Sequence, residues 1–292
     1  MAVDPAHDPL ALVRRYLETG DARRALAELD KAAGGVDDEE FWSLRAHALY
    51  GLGRWDEAAQ AAQAGLELEA DDFDLLDLLA LAELERGHEK KARATIDSAL
   101  ELYPDSAELH AHRALILARR KPKSFRPVSF RTARAAIDEA LRLDPHSEIA
   151  LRVRAQVATL SGDTRAPQYA AELLTLEPAD EQAHAITGAA LANRGNVRAG
   201  LRHFEEAARL DPSDPTLAWV GRHSRELRRP FFAPVLFMER VTRGHIRLAW
   251  AAVALASFHS GQLWLRVVVF GLWAYMWAVH IYLRMRLGKE PE

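Results

Sequence analysis

The stretch EEFWSLRAHALYGLGRWDEAAQAAQAGLELEADD, residues 39–72, decides the fold. Phe41, Trp42, Leu44, Leu49 and Leu52 recur along it at helical spacing. Gly53 then gives the backbone a turn closed to most side chains. A second helix follows from Gly53 to Ala70, with Ala58, Ala62 and Gly65 on one face, small enough for two helices to approach closely. The stretch reads as helix, glycine turn, helix.

The same unit recurs on both sides. Glycines placed to end a first helix stand at Gly20, Gly53, Gly87, Gly162 and Gly195. Residues in the small-residue slot of the second helix stand at Ala32, Gly65, Ala99, Ala140, Leu173 and Ala207, stepping by 33, 34, 41, 33 and 34. Prolines that close a unit stand at Pro104, Pro145, Pro178 and Pro212, stepping by 41, 33 and 34. Independent markers with one step are the signature of a stacked helical array, in which no unit buries its apolar face alone. Two of them carry the same seven-residue excess between Pro104 and Pro145.

At these residues the chain resembles the tetratricopeptide-repeat family. Trp42, Ala46, Gly53, Ala58 and Gly65 fill most slots of one repeat, and Gly188, Gly195, Phe204, Ala207 and Pro212 most slots of another. The likeness covers about residues 6–214, six repeats, and departs from the pattern in three places. The first repeat lacks the proline, the fourth lacks the turn glycine, and the fifth has Pro167 near its second helix's start and Leu173 in the small slot. It implies an all-α chain: a right-handed α-solenoid of about six helix pairs over residues 1–214, then a capping or linker helix at 215–229.

The resemblance also implies a binding groove lined by the first helices of successive repeats. Counted from Glu39, its slots hold Glu40, Ser43, His47 and Tyr50, then Asp74, Asp77, Leu81, Leu84 and Glu85. Glu108 and Arg119, then Arg152, Gln156 and Thr159, then Gln182 and Asn193 follow. The groove is acidic early and basic or amide-rich later. Relatives that clamp a C-terminal carboxylate use Lys and Asn at early slots; acids stand there in this chain, so a peptide with a basic end and some apolar side chains fits better.

The seven-residue excess, near residues 121–128, falls in RRKPKSFRPVSFRTAR, Arg119–Arg134, which has seven positive charges and no acid. Pro122 and Pro127 break a helix there. Arg120, Lys121, Lys123, Arg126 and Arg131, with Phe125 and Phe130, suit either an idle solvated loop or one that touches an anionic lipid, RNA or acidic protein surface.

After Pro230 the texture changes. Residues 1–229 carry 31 basic and 39 acidic side chains, residues 230–292 carry 7 and 3. The segment 263–283 is apolar and long enough to span a bilayer, which needs ~20 residues. Trp264, Trp273 and Trp277 suit its interfaces, Arg266 lies near its start and His280 near its end. A shorter apolar segment, near 246–261 with Trp250, precedes it. Arginines flank the pair and the turn between them has none, so both termini are expected on the cytoplasmic side of an inner or plasma membrane. One spanning helix, or a soluble apolar cap buried on the repeats or in a dimer, fits the same residues.

With no cysteine, disulfides, zinc–thiolate sites and cysteine nucleophiles are excluded. The N-terminus lacks the basic start and apolar core of a secretory leader. There is no phosphate-cradling glycine loop, GxSxG or HExxH, so no enzyme and no cofactor or metal is expected. Asp71, Asp72, Asp74 and Asp77 lack the calcium-loop glycine and suit a helix N-terminus. His110 and His112, two apart on a helix, point to different faces and do not chelate one ion together. The expected function is a membrane-anchored scaffold for a protein or peptide, with membrane lipid as a further partner and nucleic acid not expected. The alternatives are a subunit of a bacterial secretion, envelope or transport complex, a homo-oligomer, and lipid or nucleic-acid binding through the basic loop.

Overall fold

The computed structural model describes residues 10–32, 38–119, 130–212 and 214–228, together with Gly271 and Tyr275. Among these residues all regular structure is α-helical. The helices in chain order are α1 (Ala11–Glu18), α2 (Ala22–Ala32), α3 (Glu39–Gly51), α4 (Trp55–Leu68), α5 (Phe73–Glu85), α6 (Glu89–Leu102) and α7 (Ala107–Ala118). They continue with α8 (Arg131–Leu143), α9 (Glu148–Leu160), α10 (Ala166–Leu176), α11 (Glu181–Asn193), α12 (Val197–Leu210) and α13 (Pro215–Leu227).

From α3 onward, each odd-numbered helix up to α13 begins on a side-chain cap, the partner of α12 included. Asp38 accepts from the Phe41 amide at 2.9 Å, Asp72 from Leu75 at 2.6 Å and Ser106 from Leu109 at 3.2 Å. Ser147 accepts from Ala150 at 3.2 Å, and Asp180 and Asp214 each cap two amides. These caps step by 34, 34, 41, 33 and 34 residues, the rhythm of the glycines and prolines. Each satisfies amides that helix geometry leaves without a partner. The five turn glycines all sit at positive φ, from 67° to 82°. At Gly87, for one, no atom crowds an added Cβ, so backbone conformation alone holds that position to glycine. Pro167 lies in the first turn of α10, where its missing N–H costs nothing.

The chain divides into two compact units, residues 1–157 and 158–292. In the first, each pair packs on the next through a continuous core. Val13, Leu29, Phe41, Leu49 and Leu75 join α1 to α5, and Leu84, Ile96, Leu109 and Ile116 join α5 to α7. Ala114, Ile137, Ala150 and Val157 join α7 to α9. Fully buried Ile96 and Leu109 contribute on the order of 2–3 kcal/mol each. In the second unit α10, α11, α12 and α13 pack in sequence, and two glycines set the close approach of α11 and α12. A Cβ on Gly188 would lie 2.8 Å from the Phe204 ring, and one on Gly200 would lie 2.6 Å from the Gly188 carbonyl oxygen. Among the described residues no helix is long and apolar enough to cross a membrane. Of the expected apolar helices only Gly271 and Tyr275, both helical, are described; Trp250, Trp264, Arg266, Trp273, Trp277 and His280 lie outside the described residues, as does 120–129 of the basic loop.

Candidate interaction groove

In the first unit α3, α5 and α7 pack side by side, α3 on α5 and α5 on α7. Their caps set them in register, so residues at the same distance from each cap fall on the same face. The early groove slots are therefore brought together. Tyr50 is half-buried at the end of α3, edge-on to Trp55 with ring centroids 5.0 Å apart. Burial, then the Glu85 carboxylate, pushes its phenol well above the usual range. Glu85 on α5 receives the Arg119 guanidinium through two bonds, one of them 3.0 Å. Leu81 is half-buried, while Asp74 and His47 are exposed. His47 Nδ1–H donates to the Ser43 carbonyl one turn back, at 3.0 Å.

The centre of this face is ionic. The side chain of Asp77 is 10% exposed and that of His112 13%, and His112 Nδ1–H donates to both Asp77 oxygens at 2.9 and 2.8 Å. Asp77 draws the imidazole pKa upward although burial alone would lower it. Glu108 lies one helical turn before His112 on the same face. Burial, then the charge of Asp77, raises its pKa. Asp77 and Glu108 thus share a half-buried floor with one imidazole, and the exposed Asp74 stands one turn before Asp77 on α5.

Some of the other expected groove residues make contacts within the fold. Glu40 takes the Arg14 guanidinium at 2.6 Å, tying α3 to α1. Arg152 pairs with Glu148 on its own helix, and Gln156 is half-buried on α9. In the second unit Gln182 is exposed in the first turn of α11, and the Asn193 amide donates to the Thr159 carbonyl at 3.3 Å, closing α11 on the end of α9. Arg131 is exposed in the first turn of α8. His110 Nε2–H donates to the Pro104 carbonyl at 2.9 Å, away from His112, as helical spacing requires. The Asp77–His112 pair was not legible in the sequence. A signal existed: six residues past the caps stand Leu44, Leu78, His112, Val153, Ile186 and Val220, five apolar and one imidazole.

Residues 10–74 match a family described as tetratricopeptide repeat. No curated protein matches the chain. Among solved structures the chain is similar to a thermophilic TPR protein of Thermus thermophilus, at 20% identity and a TM-score of 0.60, covering 65% of this chain and 100% of that one. It is also similar to the human IFIT1 dimer with m7Gppp-AAAA, at 15% identity and a TM-score of 0.56, covering 89% of this chain and 66% of that one. These likenesses establish the fold: the described residues form an all-α assembly of tetratricopeptide-type helix pairs.

Proposed function

We propose that the chain is a scaffold that holds a protein or peptide along the face of α3, α5 and α7, and that the partner presents basic side chains there. The observation that carries this reading is the surplus of negative charge on that face. Glu40, Asp77 and Glu85 are matched by Arg14, His112 and Arg119, whereas Asp74 and Glu108 form no ion pair among the described residues. Half-buried Tyr50 and Leu81 supply apolar contact beside it. An aromatic and an aliphatic surface next to charge is what an extended segment with alternating basic and apolar side chains needs.

The test is selection of a displayed random peptide library on the full chain, followed by titration of the selected peptide. Enrichment in Lys and Arg is expected, with affinity about fivefold weaker for Asp74→Lys, the ~1 kcal/mol of one exposed charge pair. Enrichment in acidic peptides, or an unchanged affinity for that variant, would remove the reading.

Where the scaffold sits is a proposal from sequence alone: the 263–283 segment anchors it at the cytoplasmic face of a membrane, by its length and its tryptophans. Carbonate extraction of membranes tests this; release of the chain into the supernatant contradicts it.

A further inference from the structure

We infer that Asp77, Glu108 and His112 form a binding site for a divalent transition-metal ion of the zinc type. The three side chains come from two neighbouring helices, and each offers one ligand atom within 4.8 Å of the other two. Ligands at ~2.0–2.1 Å from zinc stand about 3.3 Å apart at tetrahedral angles. The Asp77–His112 separation is already 2.8 Å, so small side-chain rotations bring the set to coordinating distance. Glu108 and His112, four apart on α7, project from consecutive turns onto one face, and Asp77 meets them from α5. One imidazole and two carboxylates are a mixed nitrogen–oxygen donor set, which suits zinc and its first-row neighbours.

Two independent features point to an ion rather than to a polar pair that only holds the fold. The first is position. The sixth residue past each cap is Leu44, Leu78, Val153, Ile186 or Val220 in the other repeats, so an imidazole here replaces a side chain the core would otherwise use. A buried ionic pair gains little over such an apolar residue, and a local break in an otherwise consistent pattern marks function. The second is the third ligand. An imidazole–carboxylate pair is complete with Asp77, and adding Glu108 beside it brings like charges together in a half-buried place. A dication on the floor relieves that opposition.

The site does not rest on the groove reading, because metal binding is measured without any peptide. The full chain, stripped with a chelator, is titrated with zinc chloride by calorimetry, and with cobalt(II) by visible absorption. The expected result is one ion per chain with visible cobalt bands, and affinity at least about 100-fold weaker in Glu108→Gln. The double variant Asp77→Ser with His112→Leu installs the side chains of Ser43 and Leu44 from the second repeat, keeping the core filled, and is expected to lose binding while retaining its helical circular dichroism. No binding by the wild type, or binding that persists in both variants, overturns the proposal.

Discussion

Replacing Gly200 by alanine adds one methyl group where α12 crosses α11 in the second unit. Its Cβ would stand 2.6 Å from the Gly188 carbonyl oxygen and 3.2 Å from Ala192 Cβ, whereas ordinary contact begins at 3.4 Å. The shortfall of roughly 0.8 Å is against backbone, which no rotamer change relieves. Overpacking of this kind costs ~1–3 kcal/mol, and the rigid obstacle puts this site at the upper end. Alanine's better helix propensity returns ~1 kcal/mol. The net loss is about 2 kcal/mol, or ~4–8 °C in melting temperature for a chain of this size. Thermal and urea unfolding followed by circular dichroism measure it. Gly51→Ala is the internal reference: its Cβ meets only Ala22 Cβ, at 3.3 Å, in an exposed part of α3. There the propensity gain dominates and stability holds or rises by up to ~1 kcal/mol. Gly200→Ala as stable as the wild type would refute the close crossing of α11 and α12.

Asp77→Ala strands a buried imidazole and is expected to cost ~1–3 kcal/mol, while the double change with His112→Leu recovers most of it; additive losses in the double-mutant cycle contradict the pairing. Gly87→Ala meets no atom within 4 Å but must hold φ at +77°, so a loss of ~1–2 kcal/mol by urea unfolding is expected, and Gly87→Asn is expected to lose less. His184 Nε2–H donates to the Pro178 carbonyl, which leaves its Nδ1 to accept from His203 at 3.1 Å. Burial, then the neighbouring His184, lowers the His203 pKa below the ordinary 6.5. The unfolded chain therefore binds more protons just below that value, and stability is lost as pH falls through the folded pKa. A urea series from neutral to mildly acidic pH is expected to show that slope, and His203→Gln to reduce it.

The repeat architecture was legible because its signals are local. Gly20, Gly53, Gly87, Gly162 and Gly195 each announce a positive φ that other residues resist, and Pro104, Pro178 and Pro212 each follow a second helix. Asp72 was readable as part of an acidic helix start, but the caps Ser106 and Ser147, equally regular, carry no charge to draw attention. The groove was legible only in part. Slot counting places Tyr50, Asp74 and Glu85 on one face, but it treats every slot as facing a partner. Whether a side chain is free depends on which neighbour lies across the helix interface. Arg14 takes Glu40, the Thr159 carbonyl takes Asn193 and His112 takes Asp77, pairs separated by 26, 34 and 35 residues in the chain. Such pairs follow from the register between repeats and not from any short motif.

The proposed partner lies along α3, α5 and α7. Amide hydrogen exchange of the full chain, with and without a library-selected basic peptide, tests it most directly. Protection concentrated on Glu39–Gly51, Phe73–Glu85 and Ala107–Ala118 is the result predicted. Protection confined to the second helices of the pairs or to Pro215–Leu227, with those three segments unchanged, would contradict it.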